Sequence, residues 1–394
     1  MSSQKKKETS RKDLPDVSRS RHVSDAIRLQ LVAATGGRCQ FLGCKAVIFV
    51  HPVTKGDGYF GNYAHIRAFS PSGPRAGTEA EREDVDLNAL ENLMLLCPVC
   101  HHLVDTEEEH YPIEKLRKWK VEHEERAAFL LDLPDENETA IMEIWTDLSA
   151  PPVVRTEGQL VAALLPLYPS RKHHYVVDLA GHNLGDVTLL PAAVACIDEH
   201  VQRLFSKSGE RPQHLAVFGI TNIPLLVHLG SKLGDRIQAL LFQYHRDTQG
   251  WKWKDEPPKA DFKTTLIRKG SDSKRVALLL SLSGQIDYGR LPTEIDDSYT
   301  VYEIRLSSET PNPAFLRTKE DLTKFREAYR SFLAQLQADH GMLDELAVIP
   351  AVPIPIAISL GMDRLPKIAP TLAVYDIDKN NPATKSYKKM LDVR

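Results

Sequence analysis

Residues 89–105 read ALENLMLLCPVCHHLVD, and this stretch decides how the first third of the chain is organised. Cys97-x2-Cys100 places two thiols at knuckle spacing, and a second pair, Cys39-x4-Cys44, lies upstream. Paired cysteines in a chain with few others suggest metal before disulfide. Four thiolates suit a tetrahedral structural zinc with no coordination position left for chemistry. The 52 residues between the pairs (45–96) are too many for a simple zinc ribbon, so something is inserted between the knuckles. Cys196 stands apart in the apolar run LLPAAVACI and reads as a core side chain.

Around the knuckles, VSDAIRLQLVAA (23–34) carries apolar residues at helical spacing, and Gly36-Gly37 stops that helix. Strand-like runs follow, AVIFVHPV (46–53) and YAHIRAF (63–69), the second leading into a Pro/Gly loop. Residues 112–131 read as a long charged helix whose Lys115, Arg117, Lys118 and Lys120 could follow a DNA backbone or simply face solvent. The acidic, proline-containing stretch 132–138 marks a boundary.

His65 in YAHIRAF, Asn92 in LENLMLLC, and His101 directly after Cys100 complete a pattern that resembles the HNH (ββα-metal) nuclease family in its four-cysteine form, over residues 36–105. The resemblance implies an α+β module in which His65 is the general base. It also implies that Asn92 holds the loop and His65 in place, and that His101 binds a catalytic divalent metal, Mg²⁺ or Mn²⁺. The residue types suit phosphodiester hydrolysis. Imidazole titrates near neutrality, and a divalent cation stabilises charge on the phosphate. Many relatives carry an acidic metal ligand just before the base, where this chain has Ala64; His102 and Asp105 are the candidates to complete the shell.

Beyond residue 150 short apolar strands alternate with helical segments, which predicts α/β units on a largely parallel sheet. Aligning residues 215–247 with 346–378 at an offset of 131 gives 11 identities in 33 positions, among them Leu215/Leu346, Pro224/Pro355, Gly230/Gly361, Tyr244/Tyr375 and Asp247/Asp378. Each copy reads strand, loop, proline at a helix start, helix, glycine stop, strand. Two α/β halves of similar fold follow from that. The run FQYHRDTQGWKW (242–253) ends a strand with aromatic and basic residues, where Trp251 and Trp253 could stack on bases and Arg246 could meet phosphate.

That run, HLAVFGITNIPLLVHLG (214–230) and AVIPAVPIPIAISLG (347–361) look like the SAVED domain, a fusion of two CARF-like, Rossmann-type halves. The resemblance implies a cyclic di- or trinucleotide activator, self-association on binding, and degradation of double-stranded DNA in bacterial anti-phage (CBASS) defence. Asn222, Pro224, Tyr244, Arg246, Trp251, Trp253, Pro355 and Tyr375 are its candidate ligand contacts. The expected organisation is a basic disordered tail (1–22), an HNH domain (23–132), a linker (133–150) and a SAVED domain (151–394).

Formal net charge is −3 over 394 residues, so any nucleic-acid surface must be a local patch. No run is long and apolar enough for a membrane span, and the basic N-terminus has no apolar signal region, so a cytoplasmic protein is expected. Two other readings stay open: a modification-dependent restriction enzyme, and a non-enzymatic zinc-stabilised DNA-binding regulator.

Overall fold

A computed structural model describes residues 21–394 apart from 84, 147–155, 182–183, 185–186, 207–211, 308, 365–368 and 378–385. The chain divides into two compact units between Leu133 and Pro134. The basic tail expected at residues 1–22 falls almost wholly outside the described residues.

In the N-terminal unit, helix α1 (Asp25–Ala34) is capped by Ser24 and ends where Gly36 and Gly37 both take positive φ. Strand β1 (Asn62–His65) pairs antiparallel with β2 (Leu93–Leu96), with the one-turn helix α2 (Glu79–Glu83) between them in sequence. Two helices follow, α3 (Pro98–Thr106) and α4 (Ile113–Leu131). Leu31, Ile66, the whole of β2, Val104 and Leu116 form a small core. The run AVIFVHPV is not a strand: it contributes only the isolated bridges Arg38–Val47 and Val50–Asp57. Its alternation is broken by turns, with Val47, Phe49 and Val53 left exposed.

The C-terminal unit begins where a linker was expected. Residues Glu138–Trp145 form β3, buried at every position after the first. The acids and proline before it read as a boundary, but TAIMEIW, largely apolar and buried throughout, is a strand covered on both faces. Helix α5 (Glu157–Leu164), β4 (Tyr168–Asp178), α6 (Leu190–Leu204), β5 (His214–Ile220), α7 (Ile223–Leu233) and β6 (Gln238–Leu241) complete the first half. Its four strands are all parallel, in the order β4-β3-β5-β6.

The second half comprises β7 (Phe262–Arg268), β8 (Val276–Ser281), β9 (Thr300–Leu306), α8 (Lys319–His340), β10 (Glu345–Ala351), α9 (Ile354–Met362), β11 (Thr371–Ile377) and β12 (Tyr387–Val393). Its order is β12-β11-β10-β8-β9-β7, with four parallel strands inside and an antiparallel strand at each edge. Helix α8 opens on a Thr318/Asp321 capping box and buries Leu322, Phe325, Tyr329, Phe332 and Leu336, spaced by three and four residues.

The repeat in the sequence is a repeat in space. The bounds of β5 plus 131 are those of β10, and α7 plus 131 starts at the first residue of α9. The order β4-β3-β5-β6 recurs as β9-β8-β10-β11. One reading needs correction, because Gly230 and Gly361 do not stop their helices. Helix α7 runs on to Leu233 and is closed by Gly234 at φ 54°. The two glycines are where α7 and α9 touch: a Cβ on Gly230 would lie 1.9 Å from the Ile358 carbonyl oxygen, and one on Gly361 2.0 Å from that of Val227. Both copies keep glycine because neither helix has room for a side chain there.

Candidate functional site

Strand β2 delivers Cys97 to the N-cap of α3 and Cys100 to its first turn, while the loop after α1 brings Cys39 and Cys44 to them. All four sulfurs lie within 4.8 Å of one another, and Cys44 Sγ is 3.9 Å from Cys97 Sγ. Tetrahedral thiolates at about 2.3 Å from zinc would stand about 3.8 Å apart, so the donor set fits that ion. Burial pushes the Cys39 thiol up to about 12 and raises Cys100 as well. At Cys97 burial acts the same way, but the Cys100 N–H and the neighbouring thiols outweigh it and lower the value. Four crowded sulfurs reluctant to ionise together are a site that a divalent cation completes.

His65 ends β1, half-buried. Its Nε2 is 3.0 Å from Asn88 Oδ1, and the amide nitrogen of Asn88 donates to the His22 carbonyl, which turns the amide oxygen towards the ring. Burial lowers the His65 pKa, against the Asn88 contact, and the charges of Arg21 and His101 lower it further. Asn92 is buried and braces the loop after β1. Its Oδ1 accepts from the Arg67 N–H at 2.9 Å, and its Nδ2 donates to the Arg67 and Leu87 carbonyls at 3.0 and 2.8 Å. It thus holds the loop, while Asn88, which the sequence reading missed, holds the ring.

On α3, His101 Nε2 lies 3.2 Å from Asp105 Oδ2. Asp105 Oδ1 in turn accepts from Arg75 Nη2 at 2.7 Å. Burial would raise the Asp105 carboxyl, but His101 and Arg75 hold it below the usual range. Arg75, also missed, donates through Nε to the Ile66 carbonyl at 2.9 Å, one residue past His65. It therefore ties the backbone beside His65 to the carboxylate beside His101. His102 is exposed. Ala64 is buried and pairs with Met94, on the opposite face of β1 from His65, so an acid at that position would enter the core. Among the described residues the four cysteines are the one group of three or more potential metal ligands; His65, His101 and Asp105 do not form another.

The cations of α4 are mostly engaged. Lys115 donates to the His110 carbonyl and lies over the Tyr111 and Trp119 rings, Lys118 pairs with Glu122, and buried Lys120 with Glu124. Arg117 stays exposed.

The structure places most of the ligand contacts expected in the C-terminal unit away from open surface. Trp251 is 1% exposed, edge-on to Trp145 and Phe218, and Trp253 packs against His245. The run after β6 folds back through the His245–Gly250 bridge instead of standing at an open edge, so neither indole offers a face to a base. Pro224, Pro355 and Tyr375 are buried, Tyr244 packs on Trp251, and Asn222 donates to the Leu184 carbonyl. Arg246 alone of the eight is exposed; Asp378 of the repeat lies outside the described residues. The carboxyl edges of the sheets do carry polar groups. Thr221, just past β5, is buried with a hydroxyl that has no partner among the described residues. Beyond β8 and β9 a cavity of about 500 Å³ is lined by Lys263, Ser281, Tyr288, Glu303 and Arg305.

The C-terminal unit is therefore a duplicated open α/β domain, the kind of sheet that holds small ligands beyond the carboxyl ends of its strands. The chain belongs to the SAVED family: the family described as SMODS-associated and fused to various effectors sensor domain matches residues 197–393. That match begins inside α6, whereas the first sheet also includes β3 and β4, upstream of it. The chain is also similar to SAVED/CARF-domain Cap4 receptors. The Acinetobacter baumannii receptor solved with the cyclic trinucleotide 2′3′3′-cAAA shares 12% identity at a TM-score of 0.45, over 72% of this chain and 60% of that one. The Moraxella osloensis receptor shares 12% at 0.40, over 79% of this chain and 66% of its own. The chain thus spans less than two thirds of the length of each. No curated protein matches it. No described helix is long and apolar enough to cross a membrane.

Proposed function

We propose that this chain is a nuclease effector in which a cyclic oligonucleotide, bound by the SAVED domain, switches on cleavage of double-stranded DNA by the N-terminal unit. The observation that carries the reading is His65, held through Nε2 by Asn88, with the His101–Asp105–Arg75 chain tied to the backbone one residue away. With the hydrogen on Nε2, the lone pair on Nδ1 is free to take a proton from water. Burial keeps that imidazole neutral near pH 7, as a base requires. A divalent metal, when bound, would stabilise charge on the phosphate and the departing oxygen. His101 and Asp105 would hold it, Asp105 supplying the carboxylate that Ala64 does not. The four-cysteine zinc is structural in this reading, since its donor set is closed.

One observation favours a second reading, the non-enzymatic DNA-binding regulator: His65, His101 and Asp105 do not close into a three-ligand set. Plasmid degradation by the full chain with Mg²⁺ or Mn²⁺ separates the readings, given a panel of cyclic di- and trinucleotides that starts with the cyclic triadenylates held by the Cap4 receptors. Cutting that needs one activator, with a rise in solution mass on its addition, supports the gated nuclease. Cutting indifferent to every activator supports a restriction enzyme, and DNA binding without cutting supports the regulator.

A further inference from the structure

The second sheet sets two cations directly across from one another. In the antiparallel pairing of β7 with β9, Lys263 stands opposite Arg305, and in the parallel pairing of β8 with β9, Ser281 stands beside Arg305. Side chains in register lie on one face, so Ser281, Arg305 and Lys263 form a row across three strands at the carboxyl ends of β8 and β9. Like charges directly opposite in a sheet repel. Neither Lys263 nor Arg305 has an ion pair or hydrogen bond among the described residues, and both are exposed. Arg305 and Tyr288 line the same cavity.

The row has a built floor. Glu303, two residues before Arg305 and so on the same face, is buried. It accepts from Ser281 Oγ at 2.6 Å and from the Tyr288 hydroxyl at 2.9 Å. Ser281 Oγ also receives the Ile286 N–H at 3.3 Å. Opposite Glu303, the Thr265 hydroxyl is buried without a partner. Tyr288 is therefore anchored by its hydroxyl while the residue stays 46% exposed. Glu309, also in the lining, is engaged by the Asn312 amide. The result is a cavity of about 500 Å³ lined by two unpaired cations and a tyrosine anchored through its hydroxyl.

We infer that this cavity is a nucleotide site in which Lys263 and Arg305 take a phosphate and the Tyr288 ring stacks on its base. Two cations that repel one another gain from an anion placed between them, and a pre-anchored ring loses little freedom on stacking. Glu303 lies in the lining but acts as a positioning residue, since it is buried and its two oxygens are engaged by Ser281 and Tyr288. The inference rests on the sensor reading above for the identity of the ligand, a phosphodiester-linked cyclic oligonucleotide.

The test is calorimetric titration of the full chain with 2′3′3′-cAAA and the rest of the panel, with inorganic tripolyphosphate in a parallel arm that needs no cyclic nucleotide. Arg305→Ala and Lys263→Ala should each weaken cyclic-oligonucleotide binding by about ten- to a hundredfold, the size of one lost charge-assisted hydrogen bond. Tyr288→Leu should weaken the cyclic ligand but not tripolyphosphate, and Tyr288→Phe should fall between it and the wild type. Unchanged affinity in the two cation variants, with wild-type binding intact, would overturn the site and leave the sensor reading standing. If no cyclic nucleotide binds the wild type, the sensor reading fails for that panel. The site is then decided by whether tripolyphosphate binding exists and disappears in Arg305→Ala.

Discussion

The two units hold their shapes by different means. In the C-terminal unit Phe218, Trp251, Phe325, Tyr329 and Phe332 are buried among strands and helices that supply most of their own surroundings. The N-terminal unit has one two-stranded ribbon, a small apolar cluster and a long irregular stretch between β1 and β2. That stretch is held by side chains bonded to backbone: Arg67 to the Ala76 carbonyl, Arg75 to those of Ile66 and Val104, Arg82 to those of Ala68 and Phe69. A loop with little apolar surface to bury has to be ordered by polar bonds, and polar bonds need a rigid base. The four cysteines, with sulfurs within 4.8 Å of one another, would supply it by holding a metal, and apolar packing does the equivalent work in the other unit. In the proposed reading, the catalytic geometry sits on the unit whose integrity would depend on metal.

The sharpest test of that contrast is Cys97→Ser. Structural zinc in small modules supplies on the order of 10 kcal/mol of folding free energy, so loss of one ligand should unfold the N-terminal unit outright. Calorimetry of the full chain should then show one transition lost with the zinc, while that of the C-terminal unit is kept. Zinc content and both transitions unchanged would mean the thiols carry no load, and the comparison would collapse.

Next in size is His65→Ala. Removing a general base costs about 10²- to 10⁴-fold in rate, and His65 is only half-buried, so zinc content and melting should stay as in the wild type. Loss of rate together with loss of fold would make His65 a structural residue. The pH profile sharpens the point. His65 must be neutral to act and its pKa is lowered, so activity should persist below pH 6.5 before acid abolishes it. An acid limb above that value would contradict the burial seen here.

What could be read from the chain follows the same division. Metal and base chemistry demand particular residue types at particular spacings, so Cys39, Cys44, Cys97, Cys100, His65, Asn92 and His101 stood out. Asn88 and Arg75 did not, because an amide and a guanidinium in an irregular loop reach their partners only through its folded path. In the C-terminal unit the repeat was visible because two copies of one fold must bury the same positions. Strand β3 was hidden by the acids and proline before it. The burial of Trp251 and Trp253 was hidden for a related reason: an aromatic beside basic residues can be core or contact surface, and only the return of the chain over the sheet separates the two. The Lys263–Arg305 pair needs the register of β7 on β9, which no local pattern carries.

Gly230→Ala probes the apolar side of the comparison with a smaller effect. The added methyl meets the Ile358 carbonyl at 1.9 Å, so α7 and α9 must move apart, at a cost of about 1–3 kcal/mol for overpacking. Denaturant unfolding should show the loss in the C-terminal transition, with that of the N-terminal unit unmoved. Gly361→Ala should match it, since the contact is reciprocal, and a clear inequality between the two would break the symmetry of the halves.

The smallest effect is one of pH, and it too belongs to the C-terminal unit. His245 is buried, with Nε2 lacking a partner among the described residues; burial first, then the charge of Lys254, push it down to about 4. Unfolding returns it to about 6.5. Above pH 6.5 both states are neutral there and the group has no effect on stability. As pH falls below 6.5 the unfolded chain takes up a proton that the folded chain refuses, so stability declines until the folded value is reached near 4 and then levels off. Between pH 7.5 and 5.5 the decline should be about 1 kcal/mol in the C-terminal transition. His245→Phe, which keeps a ring against Trp253, should remove that part of the slope. A slope identical in the variant would mean that the buried imidazole is solvated on opening without full unfolding, and that the loop after β6 is less firmly part of the core than its packing indicates.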